Sequence, residues 1–296
     1  MSVENLMITT FSQVFKKYLY GELVIGQLAH VDFKSAINKG EEINVIMPGS
    51  VTMSDHAGGD LADAETAGST IVKVKIDKGK SVHFKIEDAK KKQIENAPTL
   101  EQKVDLAKDY AMDAVKQFAA SVDKAYGNLY ARAGISLSNS GSAYTVSATN
   151  IKDIFAYQKA KFERGDGKGH TAWVDGEMLA IIPPEMQFFL TKISDFVGTE
   201  SGVKNATKGY VGELGGWKIL CSNNIASPSS NVYMPLFGQK GKTLAGGVQD
   251  DFKLIDYIPD KSFDTHYKGK GVFGVGAPRA DIFGTAMVST TMTIGS

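Results

Sequence analysis

The most constraining feature of the chain is the run from Pro98 to Gly134. Leu100, Val104, Ala107, Ala111, Val115, Phe118, Val122, Ala125 and Leu129 follow one another at spacings of three or four, which places them on one face of a helix. Thr99 and Gln102 form a capping box, because each side chain reaches the other's free backbone N–H. Gly134 closes the run. About 33 residues at ~1.5 Å each make roughly 50 Å of helix, well beyond the usual ~11–12 residues. The stripe is alanine-rich and one-sided, and heptads are not sustained, so a coiled coil is excluded. A helix of this length with one apolar face must lie across a sheet or a whole domain. It is a spine.

Ahead of the spine the pattern changes from period 3.6 to period 2. Ile43–Met47 is a short apolar run stopped by Pro48. Val72, Val74 and Ile76 alternate with Lys73 and Lys75; Val82, Phe84 and Ile86 alternate with His83 and Lys85. The five residues Asp77–Ser81 between these runs predict a hairpin. Between Gly49 and Ser69 the chain is polar and rich in glycine and alanine (SDHAGGDLADAETAGS from Ser54), too long for an ordinary turn. It is either a mobile loop or the tip of a protruding hairpin whose partner lies on another molecule. Near the start, Phe11, Val14, Phe15, Tyr18 and Leu19 share a helical face, as an amphipathic arm or as a first helix packed on the core.

Residues 150–250 form a second lobe. Ile151–Phe162 is a predicted helix. Trp173-Val174 and Met178–Ile182 are strand-like, the latter stopped by Pro183-Pro184. Glu185–Phe196 is helical, with Pro184 suited to the first turn, and Gly209–Leu220 holds two short strands around Gly215-Gly216. Phe252–Asp260, Val272–Val275 and Thr285–Thr293 return to strands and are expected to rejoin the first lobe, which makes the second an insertion.

Charge narrows the function classes. The chain has 33 Lys+Arg against 33 Asp+Glu, with 43% hydrophobic and 22% charged residues, a globular composition. Arg132, Arg164 and Arg279 are the only arginines, whereas sequence-specific nucleic-acid readers lean on the arginine fork. Cys221 is the single cysteine, so an internal disulfide and a cysteine-based zinc site are excluded. No stretch approaches the ~18 apolar residues of a membrane span, and the first thirty residues lack an export pattern. A soluble protein that is not exported is expected.

Motif fragments carry little chemistry. Gly241-Lys242-Thr243 ends like a phosphate-binding loop, but Leu236 stands where its first glycine belongs. Gly269–Gly274 spells GxGxxG near the C-terminus and runs into Pro278, so a glycine-rich turn is expected there and not a dinucleotide site. His30, His56, His83, His170 and His266 repeat no metal-motif spacing, and His83 is expected to be simply exposed on a strand. Cys221 has no sequence-local activating partner and is expected to be structural. Asp250 and Asp251 are adjacent, so on a strand they face opposite ways. No catalytic, cofactor-binding or metal residues are assigned.

Three phrases in this order carry a resemblance: Val82–Asp88 (VHFKIED) running into the spine helix, Trp173–Leu190 (WVDGEMLAIIPPEMQFFL), and Gly212–Ile225 (GELGGWKILCSNNI). Over roughly residues 10–295 the chain resembles the major capsid proteins of tailed double-stranded DNA phages, the Hong Kong 97-like fold of the α+β class. The resemblance implies an N-terminal arm (1–40), an extended loop with flanking strands (41–87), a peripheral domain with the spine helix (88–145), an axial domain (146–250) and a return to the peripheral domain (251–296). It implies a self-assembling, non-enzymatic shell subunit arranged as pentamers and hexamers around packaged DNA, located in the virion capsid and assembled in the host cytoplasm. A portal and decoration proteins are implied partners, with only weak, non-specific DNA contact. The extended loop arises within about forty residues of the start, so a separate scaffolding protein is expected. The lysine–asparagine crosslink of some members does not carry over, since no lysine occurs between Gly49 and Thr70. An encapsulin-like compartment shares the fold, and a two-domain enzyme with an unrecognised site is the reading from a different class.

Overall fold

The computed structural model describes residues 18–19, 22–30, 42–48, 68–87, 100–165, 176–193, 197–198, 209–248, 253–260 and 264–290. A 3₁₀ turn (Ile25–Leu28) leads into β1 (Ala29–His30). β2 (Glu42–Pro48), β3 (Ser69–Lys75) and β4 (Lys78–Ile86) precede the spine helix α1 (Leu100–Gly127). β5 (Ile135–Leu137) and β6 (Tyr144–Thr145) precede α2 (Ile151–Arg164), and β7 (Met178–Ile182) runs into α3 (Pro184–Leu190). Then follow β8 (Val197–Gly198), β9 (Tyr210–Leu214), β10 (Trp217–Cys221), β11 (Val232–Tyr233), β12 (Leu236–Gln239) and β13 (Leu244–Val248). β14 (Lys253–Tyr257), β15 (Thr265–Gly276), β16 (Phe283–Ala286) and β17 (Val288–Ser289) complete the order.

The spine is 28 residues long, about 42 Å, and tightens into a 3₁₀ turn over Asn128–Arg132. It is therefore shorter than its periodicity suggested, because i→i+3 bonding takes over the last turn. Ala111, Val115, Phe118, Val122 and Ala125 are buried as expected. This face packs on a five-stranded sheet centred on β15. Phe118 meets Phe273 edge-on with centroids 5.6 Å apart, and Phe84 of β4 lies between Tyr110 of α1 and Tyr267 of β15. β15 bonds β4 along one side; on the other it bonds β14 and then β13, with β1 outermost and parallel to β13. Thr99 of the expected capping box and residues 11–17 of the expected first helix lie outside the described residues; Tyr18 and Leu19 are helical, and Leu19 is buried in the spine's core.

A seven-stranded sheet in the order β5-β16-β12-β7-β10-β9-β8 holds most of the rest. Its central strand β7 is buried at every position, and successive side chains point to opposite faces. Leu179 and Ile181 join the spine's core, whereas Met178, Ala180 and Ile182 join a second core with α2 and α3. An uninterrupted apolar run, paired in parallel with β10, suits a strand covered on both faces. In the second core Phe155, Phe162, Trp217 and Phe237 pack edge-on, and the Trp217 indole N–H donates to the Phe155 carbonyl at 3.1 Å. Gly215 and Gly216, both at positive φ, make the tight turn that joins β9 to β10.

Several expectations are corrected. The helix read over Glu185–Phe196 spans Pro184–Leu190. Thr285 does not rejoin the spine's sheet: it lies in β16, which bonds β12 and β5 in the seven-stranded sheet. β3 and β4 do not pair: β3 bonds β2, while β4 bonds β15. Only Ile76 and Asp77 separate them, and there the chain passes from a two-stranded ribbon into the five-stranded sheet. Gly269–Gly274 is not a turn but the middle of β15. Its last glycine serves close approach: a Cβ on Gly274 would lie 2.5 Å from the Lys75 carbonyl oxygen, so the bare backbone lets the base of the ribbon cross the sheet.

Candidate assembly surface

The β2–β3 ribbon has two unlike faces. In its register Val45 opposes Val72, Ile43 opposes Val74, and Ile46 opposes Ile71. Directly opposed residues share a face, so the alternation separates an inward set from an outward one. Val45, Val74 and Ile76 pack with Ala245 and Val272, a small apolar cluster that roots the ribbon on β13 and β15. Outward, Glu42 pairs with Lys73 at 3.3 Å and Lys75 at 3.8 Å.

Beyond these charges Ile46 and Ile71 stand opposite each other at 65% and 57% exposure. An isolated exposed isoleucine is ordinary, but two in register on a ribbon make an apolar patch. A sequence signal existed: INVIM places apolar residues at both parities of one strand, so one of them had to face outward. Of the polar stretch Gly49–Ser69 read as loop or hairpin tip, residues 49–67 lie outside the described residues and Ser69 opens β3; β2 and β3 are the antiparallel arms on either side.

Two further exposed apolar positions lie elsewhere. Ile255 on β14 and Ile258 just after it are exposed, and among the described strands β14 bonds only β15. Phe188 on α3 is exposed beneath the Lys192 ammonium, 4.0 Å from the ring centroid.

The residues weighed for chemistry are scattered. Thr243 is buried; its hydroxyl donates to the Gln239 carbonyl and accepts the Gln239 N–H, closing the β12–β13 turn. Burial, and then the charge of Glu185, pushes the Cys221 thiol up to about 11, so it is a poor nucleophile near neutrality. Desolvation works against the charge of Glu177, but hydrogen bonds from Lys218 and Lys240 hold its carboxyl below the usual range. His56, His170, Asp250 and Asp251 lie outside the described residues, and His30 is half-buried in β1. His83 is not merely exposed: its ring meets those of His266 and Tyr257.

One buried charge belongs to no sequence motif. Asp123 is 1% exposed on the apolar face of the spine. It accepts the Val24 N–H at 2.8 Å and the Gly26 N–H at 3.1 Å. Burial pushes its carboxyl up to about 6, against the opposing pull of hydrogen bonds from the Val24, Gly26 and Ile25 N–H groups and the Asn224 side chain. An acid at the spacing of the buried positions Val115, Ala119 and Val122 was the available signal.

No helix among the described residues is long and apolar enough to cross a membrane. No family model matches the sequence, and no curated protein matches it. Solved structures do resemble it. A chain from Mycobacterium phage Che8 aligns with a TM-score of 0.66 at 18% identity, over 89% of this chain and 90% of that one. The capsid of Ralstonia phage GP4 aligns at 0.62 and 11% identity, over 93% of each chain. A virus-like particle from Pyrococcus furiosus aligns at 0.55 and 12% identity, over 97% of this chain and all of that one. At such identities the likeness speaks for the fold, and it spans nearly the whole chain: this is an α+β protein with the Hong Kong 97-like capsid fold.

Proposed function

We propose that this chain is a major capsid protein, the self-assembling subunit of an icosahedral phage head that encloses packaged double-stranded DNA. The observation that carries the reading is the shared fold over 93% of both chains with the capsid of Ralstonia phage GP4. The role is mechanical and not enzymatic. Residues 1–40 act as the arm, 41–87 as the extended loop, 88–145 and 251–296 as the peripheral domain, and 146–250 as the axial domain. Copies meet as pentamers and hexamers, with a scaffolding protein and a portal as assembly partners and decoration proteins as outer ones.

The outward face of the ribbon fits this role. Ile46 and Ile71 gain burial when the ribbon lies over a neighbouring subunit, at about 25 cal/mol per Å² of apolar surface. Ile255, Ile258 and Phe188 lie on other elements, and a subunit of a closed shell needs several contact faces. Equal numbers of acidic and basic residues suit a wall past which DNA must slide, since each neutralised phosphate adds to attachment.

Electron microscopy of the purified protein, alone and co-expressed with a scaffolding protein, tests the proposal. Closed icosahedral particles are the expected result. A protein that stays monomeric in both conditions overturns it, and shells isolated from cells with an enzyme inside and no genome would move the reading to an encapsulin-like compartment.

A further inference from the structure

On the outer face of the five-stranded sheet, three strands bring together His83 (β4), His266 (β15) and Tyr257 (β14). Tyr257 sits directly opposite His266, and His83 is diagonal to it, opposite Lys268. His266 Nδ1 lies 3.2 Å from His83 Nε2, and the Tyr257 hydroxyl lies 3.0 Å from that same Nε2. The ring centroids of the two histidines are 5.3 Å apart. Sequence separations of 183 and 174 residues hid this grouping.

We propose that His83 and His266, with Tyr257 at their edge, bind a divalent transition-metal ion of the imidazole-preferring class: Cu²⁺, Ni²⁺ or Zn²⁺. Two nitrogens each about 2.0–2.1 Å from one ion, subtending 90–110°, lie roughly 2.9–3.4 Å apart. The 3.2 Å separation matches that span. Rotation of the two rings about their side-chain bonds turns both lone pairs onto an ion beside the line that now joins the two nitrogens.

The neighbours select the class of ion. The Asp264 carboxylate is engaged by Lys85 at 3.2 Å, and the Lys268 ammonium lies 4.6 Å from the Tyr257 ring centroid. With that carboxylate paired and cations close by, hard ions such as Mg²⁺ and Ca²⁺ find no oxygen cage. Imidazole nitrogens favour the late transition metals, Cu²⁺ most strongly. Among the described residues no three His, Cys, Asp or Glu side chains gather as a metal-holding group, so water completes the coordination and the site is an open chelate. An ion there ties β4, the strand that continues from the ribbon, to β15.

Calorimetric titration of the purified full-length protein with CuCl₂, followed by electron paramagnetic resonance, tests this. One Cu²⁺ per chain with a two-nitrogen signature is expected, together with a melting temperature that rises with Cu²⁺ concentration. His83→Gln and His266→Gln should each weaken binding by about a hundredfold, since each removes one arm of the chelate. Tyr257→Phe should retain the two-nitrogen signature. Circular dichroism checks that each variant is folded. Equal affinity in the wild type and both glutamine variants overturns the proposal, as does a wild type that binds no Cu²⁺ below about 1 mM. The assay uses unassembled subunits, so its outcome is independent of shell formation.

Discussion

The Asp123 carboxylate, on the buried face of the spine helix, accepts the backbone N–H of Val24 at 2.8 Å across a sequence separation of 99 residues. The same carboxylate holds the Gly26 N–H, so one side chain stands in for a helix cap at the 3₁₀ turn that leads into β1. Asp123→Ala leaves both N–H groups without that acceptor, at a cost on the order of 3 kcal/mol. Asp123→Asn keeps one acceptor oxygen and should cost less. Urea unfolding midpoints of the three proteins check the order. A shift below about 0.5 kcal/mol for Asp123→Ala would show that the tether contributes nothing.

The same residue makes stability depend on pH. Its folded-state value of about 6 lies above the ordinary 3.8, so the folded protein binds the proton more tightly than the unfolded chain. Its contribution is fully present below pH 3.8 and is lost as pH rises through about 6. The stability of the wild type relative to Asp123→Asn should therefore fall between pH 4 and pH 7, by at most about 3 kcal/mol at 1.36 kcal/mol per unit. Paired urea titrations at pH 4.5 and 7 read it; a difference that is flat or grows with pH refutes the assignment.

The ribbon pair should matter between molecules and not within one. Ile46→Glu combined with Ile71→Lys replaces the exposed apolar pair by an opposed ion pair that still suits the strands. The isolated subunit should keep its stability to within about 0.5 kcal/mol, while closed particles fail to form. Thermal melts and sedimentation velocity separate the two effects. Normal shells from the double variant would remove the ribbon's outward face from the assembly surface.

Gly274→Ala places a methyl 2.5 Å from the Lys75 carbonyl oxygen and 3.0 Å from the Ile76 Cα. The backbone on both sides must shift, at about 1–3 kcal/mol. Limited proteolysis should then cut between β2 and β4 at lower protease concentrations than in the wild type, and an unchanged cleavage pattern would count against the packing described.

Val115 and Phe118 are buried on the spine's packing face. Val115→Asp or Phe118→Asp introduces a charge with no partner there and should cost more than about 4 kcal/mol, enough to prevent folding. Soluble expression with native-like circular dichroism would contradict the placement of that face.

Elements whose signal is local are legible in the chain itself. The spine, α2, β7 with its two prolines, and the β9–β10 turn at Gly215-Gly216 follow from period 3.6, an unbroken apolar run and turn chemistry, each contained in a short window. The order of these elements, with three short phrases, is enough to suggest the shell-forming fold. The Asp123 tether and the outward Ile46 leave traces, as an acid within an apolar stripe and as apolar residues at both parities of a strand.

Strand partners and side-chain meetings are not legible there, because they are set by contacts between residues far apart in the chain. The runs of β3 and β4 alternate in the way a hairpin does, yet each pairs elsewhere. Gly269–Gly274 has the composition of a turn and lies in a strand, since the ribbon needs bare backbone at Gly274. His83 and His266 look like unrelated surface residues until β4 and β15 run side by side. The sequence alone determined the elements that carry a clean local period and which of their faces must be covered, because periodicity is a property of neighbours. The tertiary structure decided what covers each face and which polar groups meet, because those outcomes depend on packing the whole chain at once.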